Sequence, residues 1–343
     1  MTIAPSTRHA AVAVTAASAL TLAACSGTAD ADPSSAAAGA LTPVTVVLDW
    51  TPNTNHSGVY IALDKGWYEE AGLDVTVIEP GETDGLQLVA AGQADFAFSH
   101  AQGLLPARAA GADVVSVAAI IHDNTSSFLS LAEDGIERPK DLEGKVFGTW
   151  GDELGMTIIN EMVACDGGDP ELVEFTPLAS ADFRLGLTED QYDAAWVFDA
   201  WDTIRLSDVD GLEVNTLAFR DWMDCIPNWY TPMLAANGDS IAEDPDTVAA
   251  FMDVTARGFR HAMDTPSDAS DALMEAAPEL EEPLVVASAQ WLATQYAPTP
   301  DQWGLQHGDE WDRFATWMVD KGLLEDASVV EGAWTNEFVT EES

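Results

Sequence analysis

Short apolar runs with a strand-like pattern alternate along the first third of the body with longer runs that have helical spacing. The strand-like runs are VTVVL (44–48), DVTVI (74–78), ADFAF (94–98) and VVSVAAI (114–120), and the helical runs between them cover 59–70, 84–91 and 102–110. Alternation of this kind predicts parallel strands joined by crossover helices. This part of the chain is therefore predicted to be an α/β unit.

A second set of elements follows Ser127 and is succeeded by a helical region. The second set comprises FLSLAEDGI, KVFGTW, a helix over 153–165, LVEFTPL, AAWVF and a helix over 200–206. From Asp239 onward the pattern is almost entirely helical, and Asp244 before Pro245 marks one helix start. These last helices need a sheet to cover, and the first sheet is the best candidate.

The pattern predicts two α/β lobes with a ligand cleft between them. Lobe one is expected to comprise 42–123 and 232–343, and lobe two 124–231. In open α/β sheets ligands bind beyond the carboxyl ends of the strands. The polar loop 49–57, which follows the first strand, is therefore expected to line the cleft.

The first 41 residues have the pattern of an export and anchoring segment. Arg8 precedes an apolar run over 10–24 that is too short to span a membrane, as in a secretory signal. Leu22–Cys25 reads L-A-A-C and resembles the lipobox of bacterial lipoproteins, which predicts a diacylglycerol on Cys25; the alternative is an ordinary signal. Residues 25–41 are small and polar and are predicted to be a flexible tether. The expected location is the outer face of the cytoplasmic membrane.

The composition restricts the class of ligand. The chain has 59 acidic and 13 basic residues and a formal net charge of −46. This charge repels nucleic acid, phosphorylated substrates and anionic head groups at long range, whereas neutral and cationic small molecules are not repelled. Because the acids are spread over the whole chain, most are expected to coat the surface, and the chemistry of a site must come from particular carboxylates.

Motifs for catalysis and metal binding are absent from the sequence. There is no G-x-S-x-G, H-E-x-x-H, P-loop or cysteine-rich set. Cys165 and Cys225 match no metal or redox spacing, and their pairing stays open, with two thiols favoured over a disulfide. In TWGDELG, Asp152 and Glu153 would repel an anion from the helix start. We therefore predict no catalytic residue, no metal and no cofactor.

Four segments carry a resemblance to a known family. DWTPNTNHSGVYIALDKGWYEEAGLDV (49–75), GQADFAF, AAIIHDNTSSFLSL and GIERPKDLEGKVFGTWG resemble the thiamine-pyrimidine-precursor binding proteins of ABC transporters. The wider family includes the fungal pyrimidine synthases of thiamine biosynthesis. The likeness covers 44–237 and implies a two-lobed periplasmic-binding-protein fold of type 2 that closes on an aminopyrimidine. It also implies a monomer that delivers its ligand to a permease and an ATPase.

An aminopyrimidine is flat and weakly basic, so a site for it needs an aromatic stacking face, an acid and amides. Trp50 offers the stacking face, while Asn53, Asn55 and His56 are either edge contacts or caps of the following helix. His122, Asn124, Thr125 and Ser126 either line the hinge side of the cleft, with the Ser and Thr hydroxyls binding a formyl or hydroxymethyl substituent, or form a polar hinge with satisfied backbone turns. The predicted ligand-binding residues are Trp50, Asn53, Asn55, His56, Tyr60, His100, Asn124, Thr125, Asp199, Trp201, Asp202, Trp229 and Tyr230.

Two segments depart from the family pattern. The related binding proteins show a Trp-Glu pair where this chain has Trp201 and Asp202. The shorter Asp202 implies a closer ligand, a bridging water, or replacement by Asp199. The synthases have a cysteine-rich segment like an iron-binding motif where this chain has Trp229 and Tyr230, which form either a ligand wall or an aromatic core plug.

Three functions remain open at this stage. A binding lipoprotein for a thiamine pyrimidine precursor agrees best with the resemblance. A binding protein for another small nitrogenous or sulfonate solute is the alternative within the same class. An exported relative of the pyrimidine synthases is the third, and the lipobox, the missing cysteine cluster and the negative charge all count against it.

Overall fold

The computed structural model describes residues 40–81 and 83–339, which belong to one compact unit. The predicted signal, the lipobox with Cys25 and all but the end of the tether lie outside these residues. Among the described helices, none is long and apolar enough to cross a membrane.

The described elements alternate between strands and helices up to residue 237 and are helical thereafter. The strands are β1 Thr42–Val47, β2 Leu73–Ile78, β3 Phe96–Ser99, β4 Val114–Ala119, β5 Ser126–Leu131, β6 Val146–Thr149, β7 Glu174–Pro177, β8 Ala194–Phe198, β9 Val214–Ala218 and β10 Met233–Asn237. The helices are α1 Ser57–Asp64, α2 Trp67–Glu70, α3 Gly85–Ala90, α4 Ala101–Ala109, α5 Glu153–Cys165, α6 Phe183–Thr188, α7 Gly238–Glu243, α8 Pro245–Asp264, α9 Pro266–Ala276, α10 Glu282–Leu292 and α11 Gly308–Asp320.

The strands of the described chain form two five-stranded sheets, with orders β2-β1-β3-β10-β4 and β7-β6-β8-β5-β9. Strand β10 runs antiparallel to β3 and β4, and β5 runs antiparallel to β8 and β9. Strand β1 pairs parallel with β2 and β3, as the alternation predicted, and each sheet also contains one reversed strand whose direction the pattern did not predict. In both cases the reversed strand is the first one after the chain passes from one sheet to the other.

Local sequence explains where several helices start and stop. The side chains of Asp84, Asp152 and Asp244 each accept a hydrogen bond from a backbone N–H in the first turn of α3, α5 and α8, as is typical of N-cap residues. The helix predicted over 59–70 is interrupted, because Gly66 adopts a left-handed conformation with φ of 67°. The helix predicted over 200–206 forms instead as π-helical turns over Asp199–Thr203 and Arg205–Val209.

The helices after β10 pack against the first sheet. Phe251 of α8 stacks on Phe96 of β3 with ring centroids 4.0 Å apart. Helices α8 and α1 approach so closely that a Cβ on Gly258 would lie 2.0 Å from the carbonyl oxygen of Gly58.

A second apolar cluster joins residues of both sheets, including Val47 of β1, Phe147 of β6 and Phe314 of α11. The apolar core therefore does not show where one lobe ends and the other begins. The lobe boundaries at 123/124 and 231/232 stay a prediction.

Cys165 and Cys225 form a disulfide with a Cα–Cα distance of 5.7 Å. The expectation of two thiols is wrong. The sequence does not reveal the pairing, because 60 positions separate the cysteines and only the fold brings the end of α5 next to the turn that follows Trp222.

Replacing both cysteines, Cys165→Ser with Cys225→Ser, is expected to lower the free energy of unfolding by about 4 kcal/mol, because a cross-link over this span restricts the unfolded chain. Denaturant titration measures the loss. A reducing agent should reproduce it in the wild type and leave the double variant unchanged. An unchanged midpoint in the double variant would show that the disulfide does not stabilise the fold.

Candidate functional site at the strand ends

Carboxylates that follow strands of both sheets act on one histidine, and the region around it is here called the gap. His100 follows β3 of the first sheet, and the carboxylates whose charges act on it are Asp49 after β1, Asp84 before α3, and Asp152 after β6 of the second sheet. Burial lowers the pKa of His100, and these three carboxylates oppose that shift. The gap is therefore built by loops of both sheets and is rich in hydrogen-bond acceptors.

Three aromatic side chains of the described residues are conspicuously exposed, and all lie at such strand ends. Trp50 follows β1 and is 53% exposed, Trp150 follows β6 and is 58% exposed, and Phe198 ends β8 and is 40% exposed. Large aromatic groups left open to solvent are typical of stacking surfaces for a ligand. Sequence reasoning named Trp50 and missed the other two, although both end strand-like runs, KVFGTW and AAWVF.

A hydrogen-bond chain fixes the loop that carries Trp50. The backbone N–H of Asn53 donates to His56 Nδ1 at 3.2 Å, so the ring proton is assigned to Nε2, which donates to Asp49 Oδ1 at 2.8 Å. Burial raises the pKa of Asp49, but the opposing effects, of which the hydrogen bond from His56 is the largest, outweigh it, and the pKa lies below its ordinary value. His56 itself is fully buried, so its role is to hold the Asp49 carboxylate in position from the protein interior.

The two asparagines of this loop differ in whether their side-chain oxygens already accept a hydrogen bond. Asn53 Oδ1 accepts from the backbone N–H of Asn55 at 2.9 Å, and Asn53 Nδ2 donates to the carbonyl oxygen of Thr51 at 2.9 Å. Asn53 is therefore a capping residue. In contrast, Asn55 Oδ1 is buried without a hydrogen-bond partner. Of the three polar residues that the sequence left undecided, Asn55 is the one with a buried acceptor still available.

Two carboxylates follow β8, and they differ in whether both of their oxygens accept a hydrogen bond. Asp199 is 7% exposed, and its oxygens accept from Ser127 Oγ at 2.8 Å and Thr203 Oγ1 at 2.7 Å. Asp202 Oδ2 accepts from the backbone N–H of Phe198 at 3.0 Å, and Oδ1 has no partner among the described residues. Burial raises the pKa of Asp202 from 3.8 to about 7, with a smaller contribution from Asp199.

Three other predicted residues, Tyr60, His100 and Trp201, are buried or partly buried. Tyr60 is buried, and burial raises its pKa to about 12. His100 Nδ1 lacks a partner, and a Cβ at Gly103 would lie 2.7 Å from its ring, so glycine leaves room for it. Trp201 is partly buried against the first-sheet core.

The predicted residues at the two crossings are buried. Asn124 and Thr125 are 2% and 3% exposed. Trp229 stacks on Phe314 at 5.1 Å, and the hydroxyl of Tyr230 accepts from the backbone N–H of His307 at 2.7 Å. Burial of both aromatic side chains favours the core plug over the ligand wall.

Within residues 40–81 and 83–339, no group of three or more His, Cys, Asp or Glu side chains is arranged to hold a metal ion. Two surface cavities, of about 390 Å³ beside Cys225 and about 350 Å³ beside Trp67, lie away from these strand ends.

The fold is that of the periplasmic binding proteins, as the sequence predicted. The periplasmic aliphatic sulphonate binding protein SsuA from Escherichia coli has a TM-score of 0.67 at 15% identity, over 85% of this chain and 91% of SsuA. The chain belongs to the NMT1/THI5-like family, whose model matches residues 53–269. The predicted family and α/β two-lobed fold are thus confirmed.

Named relatives in this family include binding proteins and enzymes. The chain is 27% identical to the formylaminopyrimidine-binding protein of Halalkalibacterium halodurans, over 87% of this chain and 91% of that protein. It is 23% identical to the 4-amino-5-hydroxymethyl-2-methylpyrimidine phosphate synthase of Legionella pneumophila, over 86% and 92% respectively.

The raised pKa of Asp202 predicts a pH effect on stability. The folded state keeps a proton on Asp202 between its ordinary pKa of 3.8 and about 7, whereas the unfolded state does not. The resulting stabilisation is complete below the unfolded pKa and is lost as pH rises through the folded pKa. Asp202→Asn removes this dependence, so the variant should gain stability relative to wild type between about pH 5 and about pH 8. Urea titrations of both proteins at the two pH values measure the difference in free energy of unfolding. The same difference at both pH values would contradict the prediction.

Proposed function

We propose that the chain is the extracytoplasmic solute-binding component of an ABC importer and binds an aminopyrimidine precursor of thiamine. The observation that carries the proposal is the pairing of exposed aromatic faces, Trp50, Trp150 and Phe198, with the partly open carboxyl of Asp202. A flat ring stacks on the former, and its amine or protonated ring nitrogen donates to the latter.

The proposal includes the segment outside the described residues. Lipidation of Cys25 would hold the protein at the outer face of the cytoplasmic membrane, since buried acyl chains contribute about 0.8 kcal/mol per methylene. A permease and an ATPase subunit would then be its partners, and the chain would act as a monomer. The solute-binding relative and the periplasmic binding protein fold support this arrangement.

A sulfonate is the second candidate ligand, because the fold is shared with SsuA. A sulfonate carries a full negative charge and requires a cation or a group of donors. The gap instead brings Asp49, Asp84 and Asp152 near His100. These charges favour the weakly basic aminopyrimidine.

The synthase relative raises the alternative of an enzyme. An aldimine requires a neutral lysine at the site, because the free amine is the nucleophile. Lys65, Lys145 and Lys321 each pair with a carboxylate, at 2.9, 3.4 and 2.6 Å, and Lys140 is exposed in the turn before β6. This arrangement supports binding over catalysis.

Binding should be visible as ligand-dependent stability. A ligand that binds only the folded state adds about 2.7 kcal/mol at a hundredfold excess over Kd. We expect the full-length chain to melt at a higher temperature with hydroxymethyl or formylaminomethyl aminopyrimidines, with a shift that grows with the logarithm of ligand excess. An alkanesulfonate serves as the matched probe. A shift with the sulfonate alone would replace the ligand assignment, and no shift with any aminopyrimidine would refute it.

Trp50→Ala should weaken aminopyrimidine binding without unfolding the protein. Stacking of a base on an aromatic side chain contributes about 1–3 kcal/mol, so Kd should rise about fivefold or more. Exposed positions tolerate substitution within about 0.5 kcal/mol. Leu172→Ala is the matched control, since Leu172 is 51% exposed and Trp50 53%. Calorimetric titration and thermal melts separate the effects; a lower melting temperature with unchanged Kd would assign Trp50 to packing.

A further inference from the structure

A surface cavity of about 350 Å³ on the solvent-facing side of helix α8 combines cations, carboxylates and an aromatic ring. It is lined by Trp67, Asp253, Arg257, Arg260, His261 and Asp264. The opposite side of α8, with Phe251 and Phe259, is buried in the core. Sites for small molecules have volumes of about 300–1,000 Å³, so this cavity is large enough for a small solute.

The aromatic wall of the cavity is held in place by contacts within the protein. The guanidinium carbon of Arg257 lies 3.6 Å from the centre of the Trp67 ring, and His261 meets the same ring edge to face at 5.7 Å. Asp268 Oδ2 accepts from His261 Nε2 at 2.7 Å and from Lys65 Nζ at 2.9 Å. The wall is therefore arranged before any ligand binds, which lowers the cost of binding.

Arg257 departs from the pairing that its position on the helix favours. Asp253 lies four residues before it, a spacing at which acid and base commonly pair along a helix. Arg257 instead stacks on Trp67 and has no ion pair or hydrogen bond with another described residue. A stacked guanidinium keeps the N–H donors on its edge available, in a geometry that matches a carboxylate or phosphate.

The carboxylates of the cavity argue against a simple anion as the ligand. Asp253 and Asp264 are exposed, and neither forms an ion pair with a described residue. Both would repel an anion next to Arg257, and the net charge of −46 adds repulsion at long range. They can instead accept hydrogen bonds from an ammonium group. A ligand that carries one charge of each sign and is neutral overall is complementary to both kinds of group.

We propose that this cavity is a second binding site, for a small zwitterion whose singly charged phosphate or carboxylate binds Arg257 and whose ammonium group binds Asp253 or Asp264. The zwitterion is either a free solute or the head group of a phosphatidylethanolamine lipid. The site is separate from the proposed aminopyrimidine site, because it lies on the outer side of α8 and away from the strand ends.

Calorimetric titration of the full-length chain with three probes tests the proposal. Glycerophosphoethanolamine carries both charges, whereas glycerol 3-phosphate and ethanolamine each carry one kind. Wild type should bind glycerophosphoethanolamine at least tenfold more tightly than either single-charge probe. Arg257→Met keeps an apolar chain against Trp67 but removes the charged donors, so Kd for glycerophosphoethanolamine should rise at least tenfold.

Arg184→Met is the matched control, because it removes the same charge from a side chain of α6 that is 60% exposed and does not line the cavity. It should leave Kd unchanged. Replacing both acids, Asp253→Asn with Asp264→Asn, should weaken glycerophosphoethanolamine and strengthen glycerol 3-phosphate, since the repelling charges are gone. Aminopyrimidine binding and the melting temperature serve as folding checks in every variant and should not change.

Vesicle sedimentation of the unlipidated full-length chain separates the two sources of the zwitterion. Extra sedimentation with phosphatidylethanolamine in phosphatidylcholine vesicles, lost in Arg257→Met, would assign the lipid head group. Equal sedimentation with and without phosphatidylethanolamine would assign the free solute.

Three results would overturn the second site and leave the proposed function intact. The first is that wild type binds none of the three probes. The second is that glycerol 3-phosphate or ethanolamine binds as tightly as glycerophosphoethanolamine. The third is that Arg257→Met and Arg184→Met have the same effect on Kd.

Discussion

One hydrogen bond, from the backbone N–H of Asn124 to Asn228 Oδ1 at 2.9 Å, joins the two segments through which the chain passes between its sheets. Asn124 precedes β5 and Asn228 precedes β10, the two strands that run against their neighbours. Tying these crossings together sets where both sheets begin relative to each other. The remaining strands then end at the gap, where the charge of Asp152 in one sheet acts on His100 in the other. Every candidate contact depends on that convergence.

Much of this arrangement could be predicted from local patterns, because the loop between a strand and the helix that follows it always lies at the carboxyl end of that strand. The helix over 153–165, its Asp152 cap and the position of Trp50 follow from neighbouring residues alone. Strand β10 could not be predicted in this way: its Met-Leu-Ala-Ala-Asn run is short, and it becomes a strand by pairing with β3 and β4, more than a hundred residues away. The separate roles of Asn53 and Asn55 likewise required hydrogen-bond geometry.

Burial, rather than the net charge of −46, distinguishes the carboxylates that define the site. Asp49 has a lowered pKa because His56 donates to it, and the partly buried Asp202 has a raised pKa because desolvation disfavours its ionised form. The pKa values of the two acids are shifted in opposite directions, so Asp49 stays ionised while Asp202 exchanges a proton near neutral pH. A weakly basic ring with an exocyclic amine is complementary to such a pair.

Helix α10 connects the two walls of the site through side chains outside the matched family region. Ser288 contacts both Thr54, in the loop after β1, and the carbonyl oxygen of Ala200, in the turn after β8. Glu281, the residue before α10, binds Arg205 of the next π-helical segment at 2.7 Å. The family match ends at residue 269, whereas these contacts lie at 281 and 288. Helix α10 therefore holds the loop after β1 and the turn after β8 at a fixed spacing, so the chain beyond the family match contributes to the arrangement of the candidate site.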